Sequence, residues 1–125
     1  MSLNYVMIGS NDVAQARAFY DAVMPAIGGA PIAEYLPHAV CYELRGGGRL
    51  WLAVPYNEES AAPGNGNMVG LKCDSAHEVE LAYETSLAHG GTDAGAPGPR
   101  PQYGPKFFGA YVRDIDGNKL SFVHF

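Results

Sequence analysis

The sequence predicts an α+β fold of two βαβββ modules, whose strands form a curled mixed sheet around a concave cavity. The main observation is an internal repeat: NYVMIGSNDVAQARAFYD, from Asn4, aligns without a gap on NMVGLKCDSAHEVELAYE, from Asn67. Each copy has the pattern of a strand, a helix cap and an amphipathic helix, and further strands follow each copy. A stretch rich in Gly, Pro and Asn, NEESAAPGNG at residues 57–66, separates the copies. A duplicated supersecondary unit accounts for these features.

The first module is expected to occupy residues 1–56 of a single domain. Residues 3–8 predict a strand that ends at Gly9-Ser10-Asn11-Asp12, residue types typical of helix N-caps. A helix of about three turns follows, ended by Pro25 and Gly28. Its apolar positions recur at spacings of three and four: Val13, Ala16, Phe19, Tyr20 and Val23. Residues 32–36, 39–44 and 50–54 then predict three antiparallel strands, the last two joined as a hairpin.

The second module is expected to occupy residues 67–125, after a linker or mobile loop at residues 57–66. Residues 67–73 predict a strand, Asp74-Ser75 a cap, and the following helix ends at Gly90-Gly91. The apolar positions assigned to this helix are Val79, Leu81, Ala82, Leu87 and Ala88. A weak extended piece near Thr92, a loop at residues 96–106 and a hairpin of residues 107–113 and 119–125 complete the module.

Composition limits the class of partner and the location. The net charge is -5 and the basic residues form no run or stripe, which argues against a nucleic-acid partner. No apolar run has the length of a membrane span and the first residues do not have the pattern of a signal peptide, so we expect a cytoplasmic protein that does not enter membranes. Cys41 and Cys73 lack CxxC spacing and are interpreted as buried small hydrophobes.

Three segments carry a resemblance to a known family: SNDVAQARAFYDAV, GGTDAGAPGPRPQYGP and FFGAYVRDIDGNKLSFV. With them, nearly the whole chain resembles the vicinal-oxygen-chelate superfamily of glyoxalases, bleomycin-resistance proteins and extradiol dioxygenases. The resemblance implies the fold described above. Because the superfamily includes lyases, isomerases, dioxygenases and antibiotic-binding proteins, it does not imply one reaction.

The resemblance also implies where a metal would bind. In the family, the first and last strand of each module each supply one ligand, usually His and Glu, on the concave face of the sheet. Those positions correspond here to Tyr5, Trp51, Met68 and Ser121. A phenol, an indole, a thioether and a hydroxyl do not form a site for iron, zinc, nickel or manganese. We therefore expect no metal and no cofactor.

The histidines do not replace the missing ligands. His77 and His89 are expected on the second helix or at its end, and His38 in a turn. His124 lies at the C-terminus, one position out of phase with Ser121, so a register error of one residue would bring it onto the concave face. One histidine would still not make a metal site.

The residues predicted to bind a ligand are mostly aromatic, thioether-bearing or basic, as in pockets for flat or apolar organic molecules. They are Tyr5, Met7, Arg49, Trp51, Met68, Tyr103 and Ser121. Tyr42, Phe107 and Phe108 are expected at the cavity edges, although Met7, Phe107 and Phe108 have the composition of core residues as well. Arg49, Lys72, Arg100 and Lys106 are candidates to bind an anionic group, or are ordinary surface charges.

Three functions remain open at this point. The first is a metal-independent protein that binds a small aromatic or amphipathic molecule, as bleomycin-resistance-like members do. The second is an enzyme, most plausibly a glyoxalase-type lyase or isomerase with a non-standard site, using Tyr5, Glu43 or His124 for acid/base chemistry. The third is a structural or regulatory domain with a closed cavity. The replaced ligand set favours the first, and family members commonly pair, so a homodimer is expected.

Overall fold

Each half of the chain forms one strand, one helix and three further strands in the computed structural model, which describes residues 3–125. The first half contains β1 (Tyr5–Gly9), α1 (Val13–Val23), β2 (Ala30–Tyr35), β3 (Ala39–Glu43) and β4 (Arg49–Ala53). The second half contains β5 (Val69–Lys72), α2 (Ala76–Ala88), β6 (Thr92–Pro99), β7 (Phe108–Arg113) and β8 (Lys119–His124). Two short 3₁₀ helices, Met24–Ile27 and Pro101–Tyr103, follow α1 and β6. The predicted α+β architecture is confirmed, with strand ends displaced by one to a few residues.

The two sheets have the same topology. Their strand orders are β1-β4-β3-β2 and β5-β8-β7-β6, so the last strand of each half lies between the first and the third. The first and last strands pair in parallel in both sheets, and the remaining pairs are antiparallel. The repeat in the sequence therefore corresponds to a repeat in strand order.

Local capping explains where the helices begin. The Asp12 side chain accepts a hydrogen bond from the backbone N–H of Gln15, and that of Ser75 accepts one from Glu78. These bonds satisfy N–H groups that have no partner inside a helix. After α1, the chain turns at Gly28, whose φ of 78° is costly for residues with a Cβ.

The strand β6 corrects the prediction of a weak extended piece followed by a loop at residues 96–106. The strand continues to Pro99, which pairs with Phe108. The sequence of this strand, TDAGAPGP, does not predict a strand, because Gly and Pro are unfavourable inside strands. They are tolerated here because β6 is an edge strand whose register shifts twice, between Asp93 and Gly98.

One hydrophobic core contains residues from both halves. All five apolar positions predicted for α1 are buried. In α2, Val79 and Ala82 are buried, whereas Leu81 and Leu87 are exposed and Ser86 is buried instead. The predicted helix-facing residues of the sheets belong to this core or pack against it: Val6, Ile8, Leu50, Leu52, Val69, Leu71, Leu120 and Phe122.

Polar contacts also join the halves. The Tyr20 hydroxyl donates to the Asp114 carboxylate in the β7–β8 turn, and the Asn118 side-chain amide donates to the carbonyl of Gly9 at 2.9 Å. The equivalent turn of the first half, between β3 and β4, contains Arg45. Its guanidinium contacts Asp74 at 3.1 Å and Glu78 at 2.8 Å. The hairpin turn of each half is thus fixed to the strand or helix of the other half.

Candidate functional site

Each sheet has one face packed on the core and one free face. Strand alternation and the pairing register define them. The first free face carries side chains from four strands: Tyr5, Met7, Tyr35, Cys41, Glu43, Arg49 and Trp51. The second free face carries Met68, Gly70, Lys72, Phe107, Gly109, Tyr111, Lys119, Ser121, Val123 and Phe125. The residues predicted to bind a ligand lie on these faces, except Tyr103, which lies in the 3₁₀ helix beside Phe107.

The first free face presents large apolar groups to solvent. Tyr5 is 54% exposed and Met7 is 58% exposed. Trp51 is Cα partner to Met7 and Cys41, is half-buried, and stacks on Tyr35 with ring centroids 6.1 Å apart and planes 20° apart. Tyr35 was not among the predicted ligand-binding residues, and Cys41 was predicted only to be buried. The strand pairing assigns both residues to this face. Cys41 is paired with Trp51, and Tyr35 is paired with Ala39, which lies on the same face of β3 as Cys41.

The second free face has small residues at its centre. Ser121 is buried there between its Cα partners Gly70 and Tyr111, while Met68 at the start of β5 is 48% exposed. A Cβ added at Gly70 would meet only the Ser121 hydroxyl, at 3.2 Å. Gly70 is exposed, so the middle of this face is open to an approaching molecule.

Three contiguous grooves follow the second sheet. A groove of about 450 Å³ between β1 and β5 is lined by Tyr5, Arg49, Met68 and Gly70, among others. A groove of about 480 Å³ shares Gly70 and Lys72 with it and continues to Phe107, Val123 and Phe125. A third, of about 320 Å³, contains Tyr103, Lys106, Phe107 and Phe125. Tyr5, Arg49 and Met68 are therefore brought together, whereas Met7 and Trp51 line none of these three grooves.

Two residues expected at the cavity edges lie elsewhere. Tyr42 is fully buried on the helix side, and its hydroxyl donates to Asp21 at 2.7 Å. Burial and the Asp21 carboxylate raise the pKa of Tyr42 far above its ordinary value. Phe108 packs against the core. Both side chains alternate with Cys41 and Phe107, so they point to the opposite face of their strands.

The four positions that correspond to the family's metal ligands carry other side chains here. Tyr5, Trp51, Met68 and Ser121 offer no imidazole, carboxylate or thiolate. Cys41 and Glu43 share the first free face, but burial raises the pKa of the Cys41 thiol and so disfavours the thiolate that binds metals. Across residues 3–125, no group of three His, Cys, Asp or Glu side chains is arranged to bind a metal ion.

The histidines lie away from the free faces or on the surface. His124 is on the helix side of β8, where its Nδ1 lies 3.2 Å from the carbonyl oxygen of Cys73. His89 Nδ1 lies 2.9 Å from the carbonyl oxygen of Thr85 at the end of α2. His38 and His77 are exposed. In the described part of the chain, no helix is both long and apolar enough to span a membrane.

Similar solved structures cover the whole chain. A glyoxalase/bleomycin resistance protein from Albidiferax ferrireducens T118 has a TM-score of 0.89 and 29% identity, covering 100% of this chain and 99% of that one. A glyoxalase-related enzyme from Fulvimarina pelagi has a TM-score of 0.77 and 22% identity, covering 98% and 87%. A lactoylglutathione lyase from Agrobacterium tumefaciens has a TM-score of 0.70 and 19% identity, covering 98% and 92%. At their levels of identity, the last two show the common fold alone.

A search of curated proteins finds no match to the chain. The family model described as Glyoxalase/Bleomycin resistance protein/Dioxygenase superfamily matches residues 2–122. Repeated strand order, helix packing and the family match agree, and the chain belongs to the glyoxalase/bleomycin resistance protein/dioxygenase superfamily.

Proposed function

We propose that this protein binds a small aromatic or amphipathic molecule without a metal ion. The observation that carries the proposal is the set of large apolar side chains left open to solvent on the free faces. Tyr5, Met7 and Met68 are each about half exposed or more. Contiguous apolar surface of this kind is costly to keep in water and is typical of binding sites.

The donor groups at the family's metal positions support the metal-independent part of the proposal. Tyr5, Trp51, Met68 and Ser121 are better suited to contact an organic ligand than to coordinate a divalent cation. Elemental analysis of the desalted protein tests this directly. We expect far less than one equivalent of zinc, nickel, iron or manganese per chain, and a retained equivalent would overturn it.

A fluorescence screen tests ligand binding. Trp51 is the only tryptophan, so emission of the wild-type protein reports on the first free face alone. Planar aromatic acids and amphipathic compounds are titrated against the wild type and against Met7→Ala, which alters the first free face beside Trp51 without changing the fluorophore. We expect at least one compound to change the emission and to bind more weakly to the variant. A full screen without any response, repeated by calorimetry, would contradict the proposal.

A glyoxalase-type lyase or isomerase is the second candidate. It is favoured by one row of the first sheet, in which Arg49 is Cα partner to both Tyr5 and Glu43. A carboxylate and a phenol beside a cation are groups suited to proton transfer. Formation or breakdown of lactoylglutathione by the wild type, lost in Glu43→Gln but kept in Glu80→Gln on the surface of α2, would support this candidate over a binding protein.

We also propose that the protein is a homodimer. The support is the exposed apolar surface described above, together with the outer strands β2 and β6, which have one unpaired edge each. Sedimentation at micromolar concentration should give about twice the mass of the 13.3 kDa chain. A monomer under these conditions would be contrary to the proposal.

A further inference from the structure

The second free face has two chemically different ends. Phe107 and Phe125 stack at one end, with centroids 5.8 Å apart and planes 12° apart, and Tyr103 packs edge-on against Phe107 at 5.3 Å. We call these three residues the aromatic end. At the other end of the same strands, Arg113 pairs with Lys119. The face therefore changes from aromatic to basic along β7 and β8.

The basic end is built around one ring. The Arg100 guanidinium carbon lies 5.6 Å from the centroid of Tyr111, and the Lys119 ammonium nitrogen lies 5.5 Å from it. Both distances are within the range of cation–π attraction. We call Arg100, Tyr111 and Lys119 the basic end. Two cations beside one ring make this part of the face locally positive, which favours the binding of an anionic group.

Arg100 is held in place by backbone carbonyls. Its Nη1 donates to Gly98 at 2.9 Å and its Nη2 donates to Ala96 at 2.7 Å. These bonds fix the guanidinium and leave its other N–H groups for a ligand, because a guanidinium has five donors. Within residues 3–125, neither Arg100 nor Lys119 makes an ion pair with a carboxylate, and the Lys119 ammonium makes no hydrogen bond.

Four carboxylates of the second half contact groups away from the basic end. Asp93 accepts from the Tyr83 hydroxyl at 3.0 Å, and Asp74 and Glu78 contact Arg45. Asp114 accepts four hydrogen bonds in and around the β7–β8 turn. The free-face positions of β5, β7 and β8 carry no acidic residue, whereas Lys72 adds a further cation beside Gly70. The local charge of the face is positive although the whole chain is acidic.

Small residues separate the two ends. Gly70, Ser121 and Gly95 flank Tyr111 in one row of the sheet, and Gly109 lies in the next row. The groove of about 480 Å³ is lined by Gly70, Lys72, Phe107, Val123 and Phe125, and not by the residues of the basic end. The basic end lies beside it, because Ser121 is Cα partner to both Gly70 and Tyr111. Ser121 and Phe125 are four residues apart, or about 13 Å along a strand. This length is suited to a molecule of one or two fused rings bearing an acidic group.

We propose that the ligand of this protein is an aromatic organic anion, which binds with its ring against the aromatic end and its carboxylate or comparable group at the basic end. The inference rests on the proposed binding function and extends it to the charge and orientation of the ligand. The anionic group pairs with the Arg100 guanidinium and the Lys119 ammonium, and the stacked pair of Phe107 and Phe125 provides the surface for the ring.

Three probes of equal shape test the charge: 2-naphthoate, neutral 2-naphthamide and cationic 2-naphthylmethylamine, each titrated by calorimetry into the full-length protein. We expect 2-naphthoate to bind about tenfold more tightly than the amide, as one charge-assisted contact implies. Raising the salt concentration should weaken only the binding of the anion. Equal affinity for naphthoate and naphthamide would overturn the anion assignment and leave the binding function intact. Binding of none of the three would overturn both.

Variants test the location. Lys119→Gln should weaken 2-naphthoate about five- to tenfold and leave naphthamide unchanged. Arg100→Gln should also weaken the binding of 2-naphthoate. Because Arg100 donates hydrogen bonds to the carbonyls of Gly98 and Ala96, the thermal midpoint of this variant is compared with that of the wild type to detect a loss of stability. Arg17→Gln removes the same charge from the surface of α1, far from this face, and should bind both probes like the wild type. An unchanged naphthoate affinity in folded Lys119→Gln would refute the placement.

Discussion

Removal of the Trp51 indole should cost stability and uncover a buried thiol. Cys41 is 1% exposed and is Cα partner to Trp51 and Ala33 on the first free face. Since Ala33 is small and Tyr35 stacks on Trp51, we expect the indole to be the large group that covers the thiol. Trp51→Ala should therefore expose Cys41, while Cys73, buried on the other side of the second sheet, stays protected.

The magnitude follows from the position of Trp51 on a free face. A core tryptophan truncated to Ala costs about 3–5 kcal/mol, part of which is the cavity left behind. Water fills the space left by Trp51, so we expect the loss of burial and stacking without that cavity, about 1.5–2.5 kcal/mol. With a slope of about 2 kcal/mol/M, the urea midpoint falls by about 1 M.

Circular dichroism measures the midpoint, because the variant has lost its fluorophore. A thiol reagent such as DTNB measures exposure under native conditions: the wild type should react slowly, and Trp51→Ala should show one fast thiol. Trp51→Phe keeps an aromatic ring over Cys41 and should behave like the wild type, and Cys41→Ser combined with Trp51→Ala should abolish the fast phase. Unfolding of Trp51→Ala, or the absence of a fast thiol in a folded variant, would refute the reasoning.

Two further predictions concern buried hydroxyl and thiol groups. Tyr20→Phe removes the buried hydrogen bond to Asp114 and should cost about 1–3 kcal/mol in urea unfolding, whereas Tyr83→Phe, which removes the exposed bond to Asp93, should cost less than about 0.5 kcal/mol; equal effects would contradict this. Burial raises the pKa of Cys73 from 9.0 to about 12. The neutral thiol is thus favoured in the folded state, and its contribution to stability is present below pH 9 and is lost as the pH rises toward 12. Under reducing conditions, the urea midpoint of Cys73→Ala should decrease less between pH 9 and 11 than that of the wild type. An equal decrease in both proteins would contradict the raised pKa of Cys73.

The elements with a clear period could be predicted from the sequence. The repeat, the caps at Asp12 and Ser75 and the aliphatic alternation of β4 and β8 each depend on neighbouring residues, so local patterns are enough to locate them. The same alternation places Trp51 and Ser121 on free faces without knowledge of the pairing. The extent of β6 could not be predicted in this way, because its glycines and prolines are compatible with a strand only at a sheet edge.

The composition of the site was harder to predict because it depends on register between strands. The role of a residue such as Tyr35, Tyr111 or Phe125 depends on which residues lie beside it on the neighbouring strands. The sequence pattern around each residue does not identify those neighbours. Tyr42 was misplaced because an aromatic residue with a polar tip suits a cavity edge or a buried hydrogen bond equally well. Only the contact of its hydroxyl with Asp21 distinguishes them.

The strand order described above has a consequence for how the chain folds during synthesis. The strands β1 and β5 cannot pair until β4 and β8 have been made, since each is bonded only to that last strand of its half. The contacts between halves are more distant still: 94 residues separate Tyr20 from Asp114, and 109 separate Gly9 from Asn118. Chains that depend on parallel strand pairing and on contacts between distant residues fold slowly. The part of α1 that packs against α2 therefore stays uncovered on the nascent first half until the second half has been made, and we expect the chain to be most prone to aggregate during this interval.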